Sequence, residues 1–221
     1  MPLTNTLKER STIFREQVTL YPVSCERLAK GRSDSEWLDA VLAAGAKIVQ
    51  LRDKESTDRV LFTKALTFRQ KTAAVGALLI INNRLDIALA VDADGIHLGN
   101  QDLPAEEARR LAPNLIIGVS ANTIDHAATA AARGASYYNI GPLFATSTKE
   151  GLSTFLGTAA IKSFSTASAL PFTVMGGIKI AHIKELTDLG ATRIAVVTAL
   201  SEAEDIEAET RKWLSAIHHT P

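Results

Sequence analysis

Cysteine occurs once in the 221 residues, at Cys25. A single thiol excludes an intramolecular disulfide and any metal site built on cysteine, and it fits a reducing cytoplasm. Neither sign of charge is in excess: 24 Lys and Arg stand against 24 Asp and Glu. Nucleic-acid and membrane surfaces need one sign to dominate, so neither partner is expected. A local basic pocket for a small anion stays open. No apolar run approaches the roughly 18 residues of a membrane span, and residues 1–8 have no apolar core of the signal-peptide kind. Two local devices are also missing. No Gly-x-Gly-x-x-Gly turn follows the first strand-like run, which argues against a dinucleotide-binding open sheet. No Gly-x-Ser-x-Gly elbow surrounds Ser120, and no Ser–His–Asp or Cys–His set stands out. No Pro/Ser-rich linker divides the chain.

What is present is alternation. Short apolar runs of strand type recur at 18–23, 47–51, 78–81, 95–98, 115–119, 136–140, 172–175 and 193–197. Helical patterns lie between them. Trp37, Leu38, Val41 and Leu42 recur at helical spacing behind the N-cap candidates Ser33 and Asp34. Pro104 suits a helix's first turn. The spacing predicts further helices at about 157–165, at 181–189 opened by Gly176 and Gly177, and at 202–217. Alternating strand and helix implies a parallel sheet. Eight units at this length imply a closed (β/α)8 barrel of the α/β class, with an open doubly wound sheet as the rival. Residues 17–221 form one barrel domain on this reading, and 1–16 a short N-terminal extension.

In a barrel, reactive groups sit on the loops after the strands, all on one face. After the second strand, Gln50, Arg52 and Lys54 alternate onto one side, where two cations suit a diphosphate. Asp53, Lys54 and Glu55 read equally as a solvated ion cluster. Asn82 and Asn83 follow the third strand, either to read a polar ring edge or to cap a helix. His97 and Asp102 follow the fourth. The first reads as a satisfied interior histidine, and the second either as a Mg²⁺ ligand or as a cap. Ser120 follows the fifth. The sixth delivers a long polar loop, 141–151, carrying Thr146, Ser147, Thr148 and Lys149. Gly177 and the Val197-Thr198 pair follow the last two strands, where backbone N–H groups bind phosphate in this fold. Two anion sites on one face imply two phosphorylated ligands, or one with phosphates at both ends. Electrostatic stabilisation of a leaving diphosphate then suits the site better than covalent catalysis.

Seven segments, taken in order, resemble the thiamine-phosphate synthase family. They are Val49-Gln50-Leu51-Arg52-Asp53-Lys54, Ile81-Asn82-Asn83-Arg84, Asp94-Gly95-Ile96-His97-Leu98-Gly99 with Asp102, Gly118-Val119-Ser120, Gly141-Pro142-Leu143-Phe144 through Lys149, Gly176-Gly177-Ile178 and Val196-Val197-Thr198-Ala199. The resemblance covers about 18–217. It implies a transferase of thiamine biosynthesis that joins hydroxymethylpyrimidine diphosphate to a thiazole phosphate, through a pyrimidine-methyl cation left by departing diphosphate. It implies that Gln50, Leu51, Arg52, Asp53, Lys54, Asn82, Ser120 and Lys149 hold the pyrimidine diphosphate, with Arg52, Lys54, Ser120 and Lys149 catalytic. Thr146, Ser147, Thr148, Gly177, Val197 and Thr198 would hold the thiazole phosphate, and Asn83 and Asp102 one Mg²⁺. Asn83 departs from the family's usual Asp, so the metal would meet a neutral amide there. Asn100, Ala145 and Thr198 depart from the common Gln, Pro and Ser. A thiazole tautomerase-like isomerase and a non-catalytic thiamine-precursor binder are the alternatives. The expected partners are small phosphorylated substrates, and a homodimer is compatible with the sequence.

Overall fold

The computed structural model describes residues 6–146 and 154–218. Eight strands run parallel: β1 (Leu20–Pro22), β2 (Ile48–Leu51), β3 (Leu78–Asn82), β4 (Gly95–Leu98), β5 (Ile116–Ala121), β6 (Tyr137–Ile140), β7 (Phe172–Val174) and β8 (Ile194–Val196). They pair in the order β1-β8-β7-β6-β5-β4-β3-β2. The two ends of that order meet. Val23, just beyond β1, bridges Gln50 in parallel, and Ser24 N–H donates to the Gln50 carbonyl at 2.9 Å. The sheet is therefore the closed (β/α)8 barrel that the alternation implies.

Ten α-helices occur among the described residues: α1 (Leu7–Glu16), α2 (Asp34–Ala43), α3 (Asp58–Val75), α4 (Leu85–Ala90), α5 (Ala105–Leu111), α6 (Ile124–Ala130), α7 (Ala160–Ala167), α8 (Ile183–Asp188), α9 (Thr198–Ser201) and α10 (Ile206–His218). Local chemistry sets their ends. Ser33 and Glu36 form a reciprocal capping box at the start of α2: Ser33 Oγ accepts from Glu36 N–H, and Ser33 N–H donates to Glu36 Oε2 at 2.8 Å. Ser33→Ala is expected to lower stability by about 1 kcal/mol, read as a shifted urea midpoint at unchanged slope. Gly76 ends α3 at φ 69°, a left-handed stop that glycine adopts without a Cβ penalty.

Strand side chains alternate between two cores. Leu79, Ile81, Ile96 and Ile117 point outward and pack beneath the helices, with Trp37, Phe68 and Trp213. Tyr21, Ile48, Leu78, Ile80, Ile116 and Tyr137 fill the barrel interior. Both faces of the sheet are buried, which is why the strand sequences read as nearly unbroken apolar runs.

The segment expected as an extension contains α1, which closes the barrel floor. Phe14 stacks on the Tyr137 ring with centroids 4.5 Å apart. Arg10 reaches the buried Asp94 carboxylate at 3.2 Å and the Asn114 carbonyl at 2.9 Å. Arg193 Nε donates to the Phe14 carbonyl at 3.0 Å.

Three expectations need correction. The helix placed at 157–165 begins at Ala160, because Gly157 stands at φ 67°. Gly176 and Gly177 open no helix. Both have positive φ and pack against the loop after β6; the helical stretch itself lies about where expected, a 3₁₀ turn at Ile180–His182 leading into α8 at Ile183. A short helix, α9, follows β8 directly, where no helix was expected.

Candidate active site

A cavity of about 1170 Å³ opens at the carboxyl ends of the strands. That exceeds the usual span for one small ligand, roughly 300–1,000 Å³. Its floor is polar, although the interior below it is apolar. Asn82 Nδ2 donates to Gln50 Oε1 at 3.0 Å, and Gln50 Nε2 donates to the Tyr21 hydroxyl at 2.9 Å. Tyr21 and Tyr137 hydroxyls meet at 3.0 Å, and Tyr137 meets His97 Nδ1 at 3.0 Å. His97 Nε2 lies 3.2 Å from Ser120 Oγ. Beside this chain, Thr173 Oγ1 donates to Asn139 Oδ1 at 2.7 Å. Burial pushes His97 down to about 4, so its imidazole is neutral at physiological pH. Burial also raises both tyrosines above their ordinary range, keeping both hydroxyls protonated.

Arg52, Lys54 and Asp53 line one wall. Among the described residues no carboxylate pairs with Arg52, and its Nη1 meets only Cys25 Sγ, at 3.8 Å. That leaves a guanidinium fork for an anionic ligand. Asp53 is engaged elsewhere. It accepts from the Glu55 and Ser56 N–H groups at 3.0 Å each, from Ser56 Oγ at 2.6 Å and from Lys64 Nζ at 2.7 Å. Burial works to raise its pKa, but the Lys64 and Ser56 hydrogen bonds outweigh it and hold the carboxyl well below its usual range. The nearly buried Asp53 carboxylate is thus held by Lys64 and Ser56, which differs from the solvated cluster with Lys54 and Glu55 that the sequence suggested, and binding of substrate by those oxygens would have to displace Lys64 or Ser56. Leu51 is more limited than its neighbours. Its side chain points outward into the core beneath the helices, so only its backbone remains for a ligand.

Asn83 and Asp102 face the cavity from the loops after β3 and β4. Asn83 adopts φ 65°, a left-handed conformation that Asn tolerates better than most residues. Its N–H donates to the His97 carbonyl at 2.9 Å. Asp102 Oδ2 accepts from Gly99 N–H at 2.6 Å within its own loop, while α5 starts at Pro104 without a side-chain cap, so Asp102 does not cap that helix. One amide oxygen and one carboxylate form a hard-oxygen donor set of the type Mg²⁺ takes when a ligand's phosphates supply the rest. The one acidic trio close enough to share a metal among the described residues is Glu26, Asp34 and Asp53. Lys64 already sits among its oxygens, so that cluster is an internal ion network.

On the opposite wall the loops after β6 and β7 lie against each other. Leu143 N–H donates to the Met175 carbonyl at 2.9 Å, and Phe144 N–H to the Gly176 carbonyl at 3.0 Å. Gly177, at φ 62°, sits so close to Ala145 that a Cβ would overlap its carbonyl oxygen. Thr146, Gly177, Val197 and Thr198 all line the cavity. Ser147, Thr148 and Lys149 lie outside the described residues. Asn122 ties neighbouring loops together, donating to the Gly141 carbonyl at 2.5 Å and accepting from Asn100 at 2.6 Å.

Tyr21, Tyr137, Asn139 and Thr173 went unnoticed in the sequence because they fall inside apolar runs. Parity was the available signal: Tyr137 and Asn139 are two apart on β6, so both point inward. Gly118 belongs with them. A Cβ there would overlap the Tyr137 ring, so the glycine makes room for it.

A family model described as thiamine monophosphate synthase matches residues 20–200. A thiamine-phosphate synthase of Chloroflexus aurantiacus is 39% identical over 201 residues, covering 91% of this chain and 93% of that protein. One of Methanoculleus marisnigri is 40% identical over 193 residues, covering 87% and 92%. Among solved structures, thiamine phosphate pyrophosphorylase from Pyrococcus furiosus superposes with a TM-score of 0.86 at 32% identity, covering 94% of this chain and 98% of that one. A geranylgeranylglyceryl phosphate synthase from Thermoplasma acidophilum, at 13% identity and a TM-score of 0.68, shares the fold. The chain belongs to the thiamine monophosphate synthase family.

Proposed function

We propose that this chain joins hydroxymethylpyrimidine diphosphate to a thiazole phosphate within the cavity above β1–β8, releasing thiamine phosphate and diphosphate. One observation supports this most directly. A guanidinium at Arg52 that pairs with no carboxylate among the described residues and a glycine-lined backbone wall at Gly177 face the same space. The first suits a diphosphate, the second a phosphate held by N–H groups.

In the proposed reaction the methylene–oxygen bond to diphosphate breaks first, and the thiazole nitrogen's lone pair then forms the new carbon–nitrogen bond. Arg52 and Lys54 stabilise charge gathering on the leaving group. Gln50, Asn82 and Ser120 hold the pyrimidine ring by hydrogen bonds. Gly177, Val197, Thr198 and Thr146 hold the thiazole phosphate, so the nucleophile meets the methylene carbon without diffusing. Lys149, Ser147 and Thr148 are assigned to the same two groups on the family resemblance. Mg²⁺ held by Asn83 and Asp102 would neutralise part of the diphosphate's charge. The lone buried thiol, Cys25, fits a reducing compartment, and the proposal places the reaction in the cytoplasm.

The test is direct. Purified protein incubated with both substrates and Mg²⁺ should yield thiamine phosphate; no product across a range of Mg²⁺ concentrations would overturn the proposal. Arg52→Ala is expected to lower kcat/KM for the pyrimidine diphosphate by roughly 10- to 100-fold, the worth of one charge-assisted contact.

A further inference from the structure

The polar floor of the cavity is one continuous chain: Asn82, Gln50, Tyr21, Tyr137, His97 and Ser120, linked by hydrogen bonds of 2.9–3.2 Å. Its direction follows from the orientation of the Gln50 amide. Gln50 gives Oε1 to Asn82 and Nε2 to Tyr21, so the Tyr21 oxygen is an acceptor. Tyr21 has a single proton of its own. The remaining polar group bonded to its hydroxyl is Tyr137, so that proton goes there. Tyr137 in turn donates to His97 Nδ1, which must carry the lone pair. The imidazole proton then lies on Nε2 and is donated to Ser120 Oγ. Ser120 keeps its own proton for the cavity.

With that amide orientation the reverse direction fails inside the barrel. Tyr21 would accept from both Gln50 and Tyr137, and its own proton would be buried without an acceptor, which is costly. Tyr21 and Tyr137 are 1% and 0% exposed, so no solvent relieves it. The site is also built for this chain, since Gly118 leaves the space the Tyr137 ring occupies.

We propose that Tyr21, Tyr137 and His97 are positioning residues that hold His97 as its Nε2–H tautomer and thereby fix Ser120 as a hydrogen-bond donor into the cavity. This rests on the proposed function for its consequence. The pyrimidine substrate presents a lone-pair acceptor to Ser120, of the kind a ring nitrogen carries. An isosteric ring with C–H at that position is rejected.

The experiment is nitrogen NMR of the ligand-free protein labelled with ¹⁵N-histidine, paired with kinetics of Tyr137→Phe. The expected wild-type spectrum shows His97 as one neutral tautomer protonated at Nε2. Tyr137→Phe removes the hydroxyl while keeping the ring that stacks on Phe14. His97 should then shift toward Nδ1–H or a mixture, and the KM for the pyrimidine diphosphate should rise about tenfold, one lost oriented hydrogen bond. The KM for the thiazole phosphate should stay within about twofold, a change too small to register as a lost contact. A wild-type His97 protonated at Nδ1 overturns the proposal. So does a Tyr137→Phe protein with unchanged tautomer and unchanged KM. Should Tyr137→Phe fail to fold, Tyr21→Phe breaks the adjoining link, and the wild-type spectrum decides the direction alone. Because that spectrum is recorded without substrate, a protein that makes no thiamine phosphate loses the substrate assignment while the tautomer result still stands or falls by itself.

Discussion

Gly177→Val raises the KM for the thiazole phosphate by roughly 100-fold or more, equivalent to about 2.7 kcal/mol of lost binding, and destabilises the fold by about 3 kcal/mol. Two separate effects combine here. The backbone stands at φ 62°, where a β-branched residue is a steric outlier. An added Cβ would also overlap the Ala145 carbonyl oxygen, with the carbonyl carbons of Ala145 and Phe144 at 3.0 Å. These are backbone atoms, so no rotamer change relieves the clash. The loops after β6 and β7 must separate, and the Phe144 N–H to Gly176 bond goes with them. Both loops form the wall assigned to the thiazole phosphate, so binding and stability fall together. Steady-state kinetics with each substrate varied in turn checks the first effect, and urea unfolding the second. A thiazole phosphate KM within twofold of wild type would remove Gly177 from the site.

Lys64→Met is expected to destabilise the protein by about 3–5 kcal/mol at neutral pH, the cost of leaving buried charge unpaired. Lys64 Nζ bonds Glu26, Asp34 at 3.0 Å and Asp53 at 2.7 Å. The Asp34 and Asp53 side chains are only 3% and 8% exposed. Without the ammonium, three carboxylates remain within 4.8 Å of one another. The pH dependence should change sign. In the wild type, Asp53 has a folded pKa below its unfolded value. Its contribution is therefore complete above about pH 4 and is lost as the pH falls through the folded value. Asp34 is shifted upward by burial, which opposes this in part. In Lys64→Met the cation is gone, and crowded carboxylates hold their protons more tightly than in the unfolded chain. Stability should then rise as the pH falls from 7 toward 5. Urea midpoints across that range provide the check; a variant with wild-type pH dependence would show that Lys64 carries little of the cluster. Asp53 adjoins Arg52 and Lys54, so the KM for the pyrimidine diphosphate should rise as well.

The residues differ in how far sequence alone could place them. Arg52 and Lys54 were legible because they follow a strand, and a barrel brings every such position to one face. Gly177 was legible as a glycine pair after β7, and its close approach to Ala145 adds a packing reason for glycine that only the structure shows. Asp53 looked like its neighbours, yet Lys64, eleven positions on in α3, captures it. Leu51 belongs to the same segment, but its side chain faces outward and leaves only its backbone for a ligand. Tyr21 and Tyr137 could not be recognised, because an interior tyrosine reads as one more apolar residue until its hydroxyl has a partner. That partner lies 116 positions away.

By itself the sequence determined the alternation of strand and helix, the closed barrel, the family and the face that carries the candidate site. Local periodicity and short motifs carry those, and both are set by nearest neighbours along the chain. Tertiary structure alone decided three things: that α1 closes the floor, that Lys64 fills the acidic cluster, and that a directed hydrogen-bond chain runs beneath the cavity. Each depends on side chains brought together from distant strands and helices, where burial makes every unmatched donor or charge costly and so selects the partner.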